Sequence, residues 1–197
     1  LRQAIIDANA KFGADRIEFN IAGSGTQVIT LASALDVITD QVTIDGTTQT
    51  GWTEGSFLPI VVDGNNNGTG LEFSATADGS VVRGLVVRDF NSDAVDILDG
   101  ADNITIAGNF IGQFNSDGTD AGDGEANTFS GVRVTGDNVT VGGSTLADRN
   151  LISGNEFGVL IRGSATNTIV SGNYIGTDIT GASTIGSTND YGVYIYQ

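Results

Sequence analysis

From residue 17 onward, apolar and polar positions alternate in short bursts. Ile17-Glu18-Phe19-Asn20-Ile21 is the first, succeeded by apolar runs at 27–31 and 35–38. Val42-Thr43-Ile44 and Ile60-Val61-Val62 come next, and each stops at an Asp-Gly pair. Leu71-Glu72-Phe73, Val81-Val82, Leu85-Val86-Val87 and Val95-Asp96-Ile97 continue the series. A period of two broken by Gly, Asn and Asp predicts strands separated by tight turns. Residues 1–12 differ. Leu1, Ala4, Ile5, Ala8 and Phe12 recur at helical spacing, which predicts a short amphipathic helix ending near Gly13 and covering the open end of the strand region.

The second half repeats itself. Asp102-Asn103-Ile104-Thr105-Ile106-Ala107-Gly108-Asn109-Phe110-Ile111-Gly112 returns as Thr166-Asn167-Thr168-Ile169-Val170-Ser171-Gly172-Asn173-Tyr174-Ile175-Gly176. Residues 137–141 and 150–155 carry the same phrase, split by an insert. Each copy leads to Gly-Val-x-aliphatic, at Gly131, Gly158 and Gly192. Superposed, the copies give three strands per turn: the first at 85–87, 109–111, 150–152 and 173–175; the second at 71–73, 95–97, 132–134, 159–161 and 193–195; the third at 81–82, 104–106, 139–141 and 168–170. Three-strand turns without helices, stacked on copies of themselves, predict an all-β parallel β-helix. It runs as one solenoid over residues 17–197, with 1–12 as its cap.

Stacking makes the register explicit. In the second strand, Val95/Ile97, Val132/Val134, Val159/Ile161 and Val193/Ile195 should face inward, and Glu72, Asp96, Arg133, Leu160 and Tyr194 outward. Asp96 and Arg133 then meet on adjacent turns, a pair contributing roughly 0.2–1 kcal/mol. Asn109, Asn150 and Asn173 should form a hydrogen-bonded corner ladder. Segments 112–130 and 176–191 are long loops that should project from one edge.

Composition narrows the function classes. The 197 residues hold 24 acidic and 8 basic side chains, a net charge of −16, which argues against nucleic acid and anionic membranes. Histidine and cysteine are absent, so histidine acid–base chemistry and disulfides are excluded within this chain. No run of 18 apolar residues exists to span a membrane as a helix. The chain opens at Leu1 and closes inside a predicted strand, which reads as a piece of a longer protein.

The opening Leu1-Arg2-Gln3-Ala4-Ile5-Ile6-Asp7-Ala8-Asn9-Ala10 resembles the LREAIxxAN segment of bacterial extracellular right-handed β-helix proteins. Residues 43–49, 149–155 and 172–178 are similar to the repeat phrases of that family. The resemblance implies a right-handed coil, export, and a place in large secreted or surface proteins. It implies no single activity, since the family includes adhesins and matrix proteins and β-helix relatives include hydrolases, lyases and epimerases.

Four candidate chemistries remain. The loop carrying Asp117, Asp120, Asp123 and Glu125 offers oxygens for Ca²⁺, although its spacing matches no EF-hand; the alternative is a solvated acidic loop. Asp93 or Asp89 with Asp96 could sit close enough for glycoside hydrolysis, yet nothing nearby in sequence supplies the apolar setting that raises one pKa. Lyase chemistry needs a base such as Lys, Arg or Tyr. Lys11 is the only lysine and lies in the helix, Arg83 and Arg88 lie near one strand and Arg133 and Arg162 near another, and the negative surface disfavours a uronate substrate. Trp52, Tyr191 and Tyr194 are candidates for stacking on glycans. The balance favours a non-catalytic extracellular structural or adhesive module requiring no cofactor. A polysaccharide-acting enzyme and a calcium-dependent glycan-binding module are the alternatives. At the last strand, either further turns or end-to-end self-association is expected.

Overall fold

The computed structural model describes residues 1–55, 57–122, 124–163, 165–185 and 189–196. Among these residues an N-terminal helix α1 (Arg2–Asn9) precedes seventeen strands that fall into three parallel sheets. The first circuit of the chain holds β1 (Asp15–Glu18) and β2 (Gln27–Thr30), and the second holds β3 (Val42–Asp45), β4 (Ile60–Asn67) and β5 (Leu71–Phe73). Then come β6 (Val81–Arg83), β7 (Leu85–Phe90) and β8 (Val95–Ile97), and after them β9 (Thr105–Ala107), β10 (Phe110–Gly112) and β11 (Ser130–Val134). The last two circuits are β12 (Thr140–Gly142), β13 (Leu151–Ser153), β14 (Phe157–Arg162), and β15 (Ile169–Ser171), β16 (Tyr174–Ile175), β17 (Tyr191–Tyr196).

Sheet A runs β1-β3-β6-β9-β12-β15, sheet B runs β2-β4-β7-β10-β13-β16, and sheet C runs β5-β8-β11-β14-β17. The chain therefore visits A, B and C in a constant order. In the first circuit, a single parallel bridge from Ile38 to Phe73 stands in for the missing strand of sheet C. The expected register holds: Val132 pairs with Val95 and Val159, and Val159 with Val193.

One apolar core fills the space between the sheets. Ile44, Val82, Ile106 and Val141 enter from sheet A, Val62, Val87, Ile111 and Ile152 from sheet B, and Phe73, Ile97, Val134 and Val159 from sheet C. Helix α1 contributes Ile5 and Ala8 to the same core, and Asn9 ties it down by donating to Val37 O and accepting from Thr39 N. The helix is shorter than its apolar spacing predicts. Phe12 lies beyond its end and is fully exposed.

Corners are closed by polar ladders. Between sheets A and B, Leu85 N donates to Asn109 Oδ1, Asn109 N to Asn150 Oδ1, and Asn150 N to Asn173 Oδ1. Each amide nitrogen returns a bond to the preceding circuit, at Val82 O, Ile106 O and Val141 O. Glycine precedes this corner at Gly108, where a Cβ would stand 2.4 Å from Ala147 O. Between sheets B and C, Asn127, Asn155 and Asn189 repeat the arrangement, a second ladder that the repeat pattern did not disclose. Between sheets C and A, Asp102 N donates to Asp78, Asp137 N to Asp102, and Thr166 N to Asp137. The residues just after Asp102, Asp137 and Thr166 are Asn103, Asn138 and Asn167, with φ of 59°, 55° and 57°; asparagine tolerates that region better than other chiral residues.

Replacing Asn150 by Ala should cost about 1–3 kcal/mol for each buried group it leaves unpaired. Asn173→Ala, at a half-buried position, should cost less. Urea unfolding of both variants checks the order.

Candidate functional site

The outward face of sheet B is apolar from one circuit to the next. Val28, Val61, Val86, Phe110, Leu151 and Tyr174 stand in register. Such a stripe is unfavourable in water. Loops from both edges of the sheet fold over it: Leu58 from segment 46–59, Phe114 from 113–129, and Ile185 from 176–190 pack with Val61, Val86, Phe110 and Leu151 into a second buried cluster. The long loops thus lie back over the sheet rather than projecting from its edge. Leu58 N donates to Ser116 O, and Thr26 and Ser116 pair through their hydroxyls, which joins the roof to the first circuit.

The roof leaves a groove of about 220 Å³. Its apolar wall is Trp52, Leu58, Phe110, Leu146, Leu151 and Ile179. Arg83 and Arg149 bring positive charge to it. The Arg149 guanidinium sits 4.0 Å from the ring centroid of Tyr174, and its Nε donates to Gly172 O at 3.0 Å. Tyr174 itself packs against the outer cluster.

Aromatic side chains also gather at sheet C. Phe129 meets Phe157 edge-on at 5.2 Å, Phe157 stacks on Tyr191 at 5.1 Å and 12°, and Tyr194 contacts both Phe157 and Tyr191. Of the three aromatic residues expected to bind, Tyr191 and Tyr194 are brought together, whereas Trp52 lies apart, in the 46–59 loop packed over sheet B. Phe129 and Phe157 escaped notice. Their signal was an aromatic residue one or two places before each Gly-Val phrase, as in Phe157-Gly158 and Tyr191-Gly192.

The carboxylates are committed to the fold. Asp96 faces outward as expected but is only 1 % exposed, and both its oxygens accept from one edge of the Arg133 guanidinium, from Nε and Nη2. Arg133 Nε also lies 3.5 Å from Asp93, whose exposure is 2 %. Burial pushes the Asp93 carboxyl above its ordinary value, against hydrogen bonds from Ser130 and the charge of Arg133. Glu72 is raised as well, by burial and by Asp96. In the Asp96–Arg133 contact the carboxylate is buried and the guanidinium half-buried, so its loss costs more than the surface value expected from sequence. Near the roof, Arg88 bridges Asp63 at 3.3 Å and Glu125 at 3.0 Å. Beside them Asp89 is raised by burial, then by Asp63 and Glu125.

The acidic loop spends its oxygens on its own turns. The Thr119 hydroxyl and amide bind Asp117 and hold its carboxyl below the usual range. Asp120 accepts from Gln113 and from Gly122 N. Glu125 turns to Arg88. Asp123 lies outside the described residues. Among the described residues, no three metal-competent side chains converge.

Two substitutions test this electrostatic reading. A carboxyl whose folded pKa is raised binds its proton more tightly in the folded than in the unfolded chain. Its charge therefore lowers stability as pH rises through and above 3.8, the unperturbed value. Asp93→Asn should stabilise the fold at pH 7, and the gain should vanish below about pH 3.8, as read from urea melts at both pH values. Arg133→Ala should cost about 3–5 kcal/mol at pH 7, because it strands buried charge.

Comparison with known protein families, with curated proteins and with solved structures finds no match.

Proposed function

We propose that this chain is a right-handed parallel β-helix serving as a non-catalytic structural and adhesive module of an extracellular or cell-surface protein. Its coil is inferred from the constant A-B-C order with every sheet parallel. A right-handed crossing is the overwhelming preference of parallel strands joined out of plane. Export rests on the resemblance of residues 1–10 to the opening of secreted β-helix proteins.

The aromatic ladder carries the adhesive part of the reading. Tyr191 and Tyr194 are exposed, lie 5.1 Å apart, and are backed by Phe157. Rings set at such spacing on a rigid strand suit stacking against the apolar faces of sugar rings in a glycan, at roughly 0.5–1.5 kcal/mol per contact. A hydrolase reading would use Asp93 as acid and Asp96 as base. Both are closed off by burial and tied to Arg133, which disfavours it. Calcium dependence is disfavoured by the turns that occupy Asp117 and Asp120.

Pull-down on insoluble polysaccharides with product analysis tests the proposal. Retention without release of reducing ends or unsaturated sugars is expected. Tyr191→Ala with Tyr194→Ala should weaken retention about five- to 140-fold, from two contacts of that size. Turnover of any polysaccharide, or retention indifferent to both tyrosines, would sink it. The edge of β17 suits a further circuit, from the same polypeptide or from a second copy, because the inward-register residue Ile195 is 64 % exposed. If a second copy covers it, sedimentation should show association that Ile195→Lys abolishes.

A further inference from the structure

The groove on sheet B belongs to neither the coil nor the aromatic ladder, and its chemistry points to a ligand of a different kind. Basic side chains are scarce here, and most are consumed by acids: Arg2, Lys11, Arg16, Arg83, Arg88 and Arg133 each meet a carboxylate. Arg149 meets none among the described residues. It is nevertheless held in place, by Nε on Gly172 O and by its plane against Tyr174. That fixes the guanidinium while leaving its two terminal nitrogens without an acceptor among the described residues. A guanidinium so placed binds a carboxylate through two parallel bonds.

The space beside it is apolar. Trp52, Phe110, Leu151 and Ile179 form its floor and walls, and Leu146 lines it while 74 % exposed. Sugars would find few partners, as the lining offers only Thr47, Glu54, Arg83 and Arg149 as hydrogen-bonding side chains besides the Trp52 indole. Of these, Arg83 is already held by Asp45 at 3.3 Å, and Glu54 is exposed.

We propose that this groove binds a small amphipathic monocarboxylate, its hydrocarbon body against Trp52 and Phe110 and its carboxylate on Arg149. The site is independent of the glycan reading, since it lies on another sheet and uses none of the ladder tyrosines.

Trp52 is the sole tryptophan, so its emission reports directly on the groove. Octanoate titrated into the intact chain should give a saturable change in Trp52 emission, with octan-1-ol binding at least five-fold more weakly. Arg149→Gln should erase that preference, and Arg149→Lys should keep part of it. Leu146→Glu, at an exposed position that leaves the melting curve unchanged, should weaken octanoate at least five-fold; it decides the matter if Arg149→Gln does not fold. Equal binding of octanoate and octan-1-ol overturns the proposal. So does a preference that survives Arg149→Gln, or a Trp52 response to maltohexaose with none to octanoate.

Discussion

Strands this short form too few backbone bonds to fix the corners between them, and two of the three corners are largely closed to water. The fold depends on meeting that demand. Asn109, Asn150 and Asn173 meet it at one corner, each accepting a backbone N–H and donating to a carbonyl of the neighbouring circuit. At the second corner Asn127 and Asn189 do so, while Asn155 accepts from the Asn127 side-chain amide and donates to Ile111 O, and at the third Asp78, Asp102 and Asp137 accept backbone N–H groups. Each circuit has its corners completed by the next, so order spreads along the stack and a single circuit has no independent stability.

The same ladders explain how large insertions are tolerated. Loops 113–129 and 176–190 leave sheet B and return at Asn127 and Asn189, which lock the chain back into register. The chain between those points is free to vary. Here it is used to cover the apolar outer face of sheet B, so the protein has a second core outside the first. The groove beside Trp52 is a part of that face that the loops leave open.

A net charge of −16 suggests a surface of unsatisfied acids, but many of the acids have structural tasks. Asp78, Asp102 and Asp137 serve backbone amides, Asp117 and Asp178 close Asp-x-Thr turns, and Asp93 and Asp96 share Arg133. Acidic residues at a corner or turn accept hydrogen bonds without needing a counter-ion, which accounts for how few cations the chain carries.

The sequence by itself determined the three-strand circuit, its register, the inward set of sheet C, the Asp96–Arg133 pair and the first Asn ladder. These are consequences of spacing, because a period of two and a recurring repeat phrase leave one register in which apolar residues share a core. The second Asn ladder was harder to see, since insertions of unequal length separate Asn127, Asn155 and Asn189. Only the tertiary structure decided the burial of Asp93, the second core, the aromatic ladder and the groove. Each depends on how far a loop folds back and which surface it covers, and loop direction is set by the apolar face it finds rather than by any periodicity within it.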